Sequence, residues 1–344
     1  MKNFITQAKP QGFYGMKATT LTRWCFGLVF LLTGLSSYGQ VATNRIFSQS
    51  QGTYTPITGG TLVAETTGVT GVLSMDDLFY PQTIPFNFNF DGVPYTSLNI
   101  SSNGFVTFGA TAPTTGTPPA TAIYNPLNAT TAYAGAISAF GRDLQGSYTT
   151  AMTRTLGSNT VTVSNVGPIT VGSLLGDSSA GFANGTTVTA ISGNTLTLSN
   201  AATTAGVNTG TAFFGNWSNI RVETLGTAPT QIYVIQFQNF KRFGTTLGTA
   251  QDMILNFQIR LHQAGNKIEV VYGNCTPGLS TTTTVNIVGL RGPNNTFATN
   301  VNNRLVTKNV NDWATSAAGT ANTSGLVFNN VAPANVIPSG LTYS

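Results

Sequence analysis

Apolar residues in this chain recur at every second position, and that period restricts it to β structure. In Pro85 to Phe90 the side chains of Phe86, Phe88 and Phe90 alternate with Asn87 and Asn89, which places one face on a core and the other in water. Asp91-Gly92 supplies a tight turn into Tyr95 to Ser101, and Asn103-Gly104 turns again into Phe105 to Phe108. The alternation returns in Gln231 to Phe240, through Tyr233, Ile235 and Phe237, and in Met253 to Leu261, through Leu255, Phe257 and Ile259. Gln263 to Asn266 closes a hairpin onto Lys267 to Tyr272, while Val285 to Leu290 and Leu326 to Phe328 read as further strands. Short strands punctuated by Gly, Asn and Pro predict an all-β fold, an antiparallel β-sandwich of jelly-roll type.

Texture divides the chain into four stretches. Residues 1–39 read as a signal peptide: basic residues up to Arg23, an apolar run from Trp24 to Leu35, and Ser37 and Gly39 at small-x-small spacing, which would leave Gln40 as the new amino terminus. Met16 is an alternative start, because Lys17 and Arg23 would still serve as the basic region. Residues 40–147 and 216–344 carry the aromatic alternation and form the two parts of the sandwich. Between them, 148–215 is rich in Thr, Ser, Val and Gly, and Thr187 to Ile191, Ser192-Gly193-Asn194 and Thr195 to Leu198 read as strand, turn and strand. An inserted β subdomain fits this better than a structureless loop of that length.

Charged residues are only 7% of the chain, far below the roughly 25% usual for globular proteins. Four of its fifteen Lys and Arg (Lys2, Lys9, Lys17, Arg23) lie in the leader, leaving eleven against ten acids, a net charge near +1. Nucleic-acid or anionic-membrane binding needs clustered basic residues, and none survive that subtraction. No later segment reaches the length of apolar residues that a membrane-spanning helix requires. Cys25 leaves with the leader, so Cys275 has no intramolecular partner and stability must come from β packing. A buried structural thiol and an intermolecular disulfide are the two readings of Cys275.

Chemistry is sparse. His262 is the only histidine, which removes multi-His metal sites; the alternation places it with Asn256, Gln258 and Arg260 on a polar face. Asp76 and Asp77 are adjacent and would point to opposite faces of a strand, while Asp143 reads as a solvated or ion-paired turn residue beside Arg142. Asp76, Asp77 and their loop carbonyls are the best candidates for a calcium ion, the one cofactor the sequence allows for. For glycans, aromatic faces with amide and guanidinium edges are the fitting chemistry, and Tyr80, Tyr124, Trp217 and Trp313 are the loop-placed candidates. No nucleophile elbow or phosphate-cradling glycine loop accompanies these residues.

Five stretches in order, "IPFNFNFDGVPYTSLNISSNGFVTFG", "AGAISAFGRDLQG", "IRVETLGTAPTQIYVIQFQNFKRFG", "LNFQIRLHQAGNKIEVVYG" and "NIVGLRG", resemble a repeated module of secreted Bacteroidota surface proteins. In that group the module often precedes fibronectin type III domains and a type IX secretion sorting domain. The insert, "VGSLLGDSSAGFANGTTVTAISGNTLTLSNAAT", resembles a short repeat of adhesin-like and tail-fibre-like chains. The chain stops about where similar proteins enter their next module, so a piece of a longer product is one reading. The resemblance implies a secreted or cell-surface module without catalytic activity, adhesive or structural, that meets a glycan, a surface protein or its own copies. A carbohydrate-active protein and a stalk or fibre unit are the alternatives.

Overall fold

The computed structural model describes residues 41–66, 75–112, 126–127, 134–146, 148–167, 169–177, 181–183, 185–215, 218–243, 253–281, 283, 285–293, 301–305, 313–319 and 326–344. Among them the only α-helix is the single turn α1 (Val41–Asn44); nearly all other regular structure is antiparallel β. The first sheet runs in the order β1 (Gln49–Gln51), β23 (Leu341–Tyr343), β17 (Ile268–Tyr272), β16 (Leu255–His262), β15 (Ile232–Arg242), β14 (Asn219–Leu225), β2 (Thr61–Glu65), with β7 (Leu144–Gln145) also paired to β15. The second runs β21 (Ala317–Gly319), β20 (Val301–Leu305), β19 (Gly289–Arg291), β6 (Ala136–Ser138), β5 (Phe105–Phe108), β4 (Val93–Ser101), β3 (Phe79–Phe90). Their facing sides share one core, in which Phe88, Phe90 and Ile100 of the second sheet join Phe237, Phe257 and Tyr272 of the first. This is a β-sandwich, as the period of two requires.

Residues 148–215 form a sheet of their own: β10 (Leu174–Asp177), β13 (Gly206–Gly215), β8 (Tyr148–Arg154), β9 (Thr160–Val163), β12 (Thr195–Leu198), β11 (Val188–Ser192). Hydrogen bonds from Gly172 N to Val188 O and from Leu175 N to Thr186 O join its two edges, so the sheet curls around a separate apolar cluster that includes Met152, Leu196 and Phe214. Its junction with the sandwich holds Lys241 of β15, fully buried, with Nζ 4.7 Å from the centre of the Tyr148 ring.

Local turns follow the sequence closely. Asp91 and Gly92 both take positive φ, 52° and 88°, the backbone that a two-residue hairpin demands. The β16–β17 turn uses Gly265 and Asn266 in the same way. One expected strand divides instead. Val285 to Leu290 becomes β18 (Val285–Asn286), paired with β22 (Leu326–Val327), and β19 in the second sheet. Ile287 and Val288 are both buried between them, which breaks the alternation that one continuous strand would need.

The chain between β1 and β2 crosses the outer face of the first sheet from one edge to the other. It meets the strands in turn. Gly52 N donates to Gly340 O beside β23, and Tyr54 lies against Gly273 at the end of β17. Thr55 O accepts from Gln258 Nε2 of β16 at 2.9 Å, and Ile57 exchanges two hydrogen bonds with the Gln236 amide of β15 at 2.8 and 3.1 Å. Gly60 then sits on Val222 and Glu223 of β14. Glycine is required at both ends of this strap: Gly340 and Gly60 have φ of 88° and 69°, and a Cβ at either would strike a backbone carbonyl, of Gly52 and of Val222 respectively. Gln236 Oε1 also accepts from Gln258 Nε2 at 2.9 Å, so the two amides, both fully buried, act as one peg.

Replacing Gln236 by Leu removes its two bonds to Ile57 and its bond to Gln258, leaving Ile57 N–H and C=O buried without those partners. The expected cost is about 2–4 kcal/mol, read as a lower urea midpoint, with new protease cleavage confined to 53–59. An unchanged cleavage pattern would show that the strap does not depend on this amide.

Candidate functional site

Three acidic side chains from distant parts of the sequence meet at one end of the sandwich. Oxygens of Asp76, Asp77 and Asp143 all lie within 4.8 Å of one another. The loop before β3 carries the first two, and it departs from strand geometry: Met75 and Asp77 have φ of 54° and 52°. That left-handed backbone corrects the expectation that adjacent aspartates point apart, because the alternation holds only for extended chain. Leu78 fixes the loop to the β4–β5 turn, its N–H donating to Ser102 Oγ at 3.0 Å and its carbonyl accepting from Ser102 N at 2.9 Å.

Asn103, in the same turn and fully buried, connects the two sides. Its Nδ2 donates to Asp77 Oδ1 at 2.8 Å, while its Oδ1 accepts from Leu144 N at 2.7 Å. Asp143 is thereby held next to the loop, and its own carbonyl accepts from Phe243 N at 2.9 Å. Asp143 therefore belongs to the acidic group, where the sequence had suggested a simple turn residue. Asp76 Oδ1 is buried and takes no hydrogen bond among the described residues.

Loss of water pushes the Asp76 carboxyl up to about 7, with the charges of Asp77 and Asp143 adding to the rise. Burial and then Asp77 push Asp143 up to about 6, against the opposing pull of Arg142 and Arg242. Oxygen ligands sit about 2.3–2.6 Å from a calcium ion, so three carboxylate oxygens within 4.8 Å suit one such ion. A pair working on a sugar needs roughly 5–9.5 Å between carboxyl groups.

The other candidates fall elsewhere. Trp313 is 0% exposed, with Nε1 donating to Val327 O at 2.9 Å and its ring stacked on Phe140; it is a core residue, and the loop surface expected for it is not there. Tyr80 is half-buried against the core, and burial raises its hydroxyl to about 12. Tyr124 and Trp217 lie outside the described residues. Cys275 is buried, its Sγ donating to Asn256 O at 3.3 Å, and loss of water raises its thiol to about 12. His262 stands on the outer face of the first sheet, where Nε2 lies 2.9 Å from Glu269 Oε2. Lys267 Nζ approaches the other oxygen of Glu269 at 2.5 Å, and Arg260 stands 3.9 Å away.

The pattern of a protein family described as NIDO related matches the chain over residues 45–167 and 178–333. The chain belongs to the NIDO-related family. The two matched segments span both parts of the sandwich and most of the six-stranded sheet between them. A NIDO-related domain is a β-rich module of extracellular type, and no helix among the described residues of this one is long and apolar enough to cross a membrane. Neither the curated proteins nor the solved structures contain a significant match.

Two measurements follow for the NIDO-related module. Glu269 is held at about 2, chiefly by its hydrogen bond to His262 and then by Lys267, against a desolvation cost. A depressed carboxylate stabilises the fold above its ordinary value, here 4.5, and loses that contribution as pH falls through about 2. Glu269→Gln should therefore cost about 1 kcal/mol near neutral pH once solvent screening of this half-exposed pair is allowed for, with the gap to wild type closing as urea titrations are moved below about pH 4; a gap constant with pH would exclude the ion pairs as its source. Cys275 should resist thiol-specific labelling in the folded protein and react fully in denaturant, and rapid labelling of the native chain would contradict the burial described.

Proposed function

We propose that this chain is a non-catalytic module of the cell exterior, adhesive or structural, in which Asp76, Asp77 and Asp143 hold a calcium ion that locks one end of the sandwich. The observation behind this reading is the convergence of three carboxylates within 4.8 Å around the buried, unbonded Asp76 Oδ1. Like charges at that separation repel by about 3–4 kcal/mol per pair at an effective dielectric of 20. A divalent cation turns that repulsion into ligation, and protons relieve it where the cation is missing. A bound ion would tie the loop before β3, the β4–β5 turn and the approach to β7 into a rigid rim, a suitable platform for contact with a partner. The bland, almost uncharged exterior and the extracellular family support the same reading.

The signs of the pH effects follow from the raised carboxyls. Without metal, the cost of ionising Asp76 is absent below about pH 4 and complete above about 7. Calcium must compete with protons for the same oxygens, so its affinity should fall as pH drops below about 7. Millimolar calcium is expected to raise the melting temperature at pH 7.5 by about 5 °C, and Asp76→Asn should abolish that response while stabilising the metal-free protein at alkaline pH. No calcium response in the wild type, at any pH, would overturn the cation site. Polysaccharide turnover by the wild type that disappears in Asp76→Asn would overturn the non-catalytic reading.

A further inference from the structure

Charge is scarce in this chain, so where it gathers is informative. The outer face of the first sheet collects Arg221, Glu223, Arg260, His262, Lys267 and Glu269, the side chains opposite to those that enter the core. Register arranges them in rows. Glu223 pairs with Val234, Val234 with Arg260, and Arg260 with Glu269, across β14, β15, β16 and β17. The next row, Arg221, Gln236, Gln258 and Val271, lies where Gln236 and Gln258 hold the strap. A groove of about 380 Å³ therefore opens beside the strap, with Thr55, Pro56 and Thr58 on its wall and Leu225 and Ile232 among its apolar lining.

We propose that this groove is a binding site for a short neutral oligosaccharide. Glu223 and Arg260 both line it, and their strands are separated by one intervening strand, two inter-strand spacings or about 10 Å, a length that suits two sugar rings. The carboxylate accepts from hydroxyls and the guanidinium donates to them. Leu225, exposed by 38%, and Pro56 offer apolar surface to the C–H face of a ring. Pre-organisation is the strongest argument. Arg260 donates from Nε and Nη2 to Gln258 Oε1 at 2.9 and 2.7 Å, and the same Gln258 holds Thr55 of the wall through its Nε2. One buried amide thus sets both the donor and the wall before any ligand arrives, which lowers the ordering cost of binding. Arg260 is balanced by Glu269 at 3.9 Å, and Glu223 faces the groove from the opposite side, so an acidic or a basic ligand gains at one end what it loses at the other. A neutral polyol has no such conflict.

This deepens the contact role proposed above but uses a different face from the aspartates, so the two can fail separately. Short neutral oligosaccharides of glucose, galactose, mannose and N-acetylglucosamine would be titrated against the purified chain by calorimetry, beside uronic-acid oligomers and one acidic and one basic peptide. At least one neutral series should bind. Affinity should fall at least tenfold in Glu223→Ala, which removes an acceptor, and in Leu225→Trp, which fills the groove, both with wild-type melting curves. Leu156→Ala, an exposed change in the turn between β8 and β9, should leave it unaltered. No binding by any neutral series, preference for the uronic acids or a peptide, or affinity retained in both groove variants would overturn the proposal. A calcium-dependent melting shift in the same samples with no sugar bound would sink the groove alone.

Discussion

The paired amides of Gln236 and Gln258 are what the outer half of this fold rests on. Two fully buried polar side chains on the face of a sheet that looks away from the core are costly unless each donor and acceptor is met. Here the partner is the backbone of the strap, whose own N–H and C=O groups would otherwise need water. Each solves the problem of the other. Val234 and Val271 are likewise buried although they point outward, and the rows of charge are confined to the part of this face that the strap leaves open.

That confinement separates two kinds of ionisable cluster. On the outer face, Glu269 has His262, Lys267 and Arg260 within 4 Å, and the hydrogen bond to His262, followed by the contact with Lys267, holds it ionised. At the end of the sandwich, three carboxylates face each other. Arg142 and Arg242 act on Asp143, yet for Asp76 loss of water and like charge are the dominant influences. Neighbours decide the chemistry in both places, and a residue type alone would have given the same answer for each.

The strands were legible because their signal is local. Phe86, Phe88 and Phe90 announce a one-faced strand, and Asp91-Gly92 announces its turn, without reference to any other part of the chain. What could not be read depends on distant partners. Asp143 lies far in sequence from Asp76, and Asn103, bonded to both neighbourhoods, brings them together. Residues 53–59 have no period at all, because a segment crossing strands at right angles repeats with the spacing of the sheet and not with its own. Trp313, set among polar residues, reads as a loop aromatic, yet its indole N–H finds Val327 O inside the core. Val285 to Leu290 keeps apolar side chains through a change of sheet, so the break is silent in the sequence.

The two clusters pull stability in opposite directions along the pH axis. Glu269 contributes fully above about 4.5 and fades toward 2; the cost of ionising Asp76 and Asp143 begins above about 4 and is complete near 7. Between these two clusters alone the metal-free balance favours mildly acid conditions, where the ion pairs around Glu269 are intact and the aspartates still carry protons, while Lys241, fully buried with its amine pushed well down by loss of water, pulls toward higher pH. The cation proposed for the aspartates would replace those protons and carry that stability toward neutral pH.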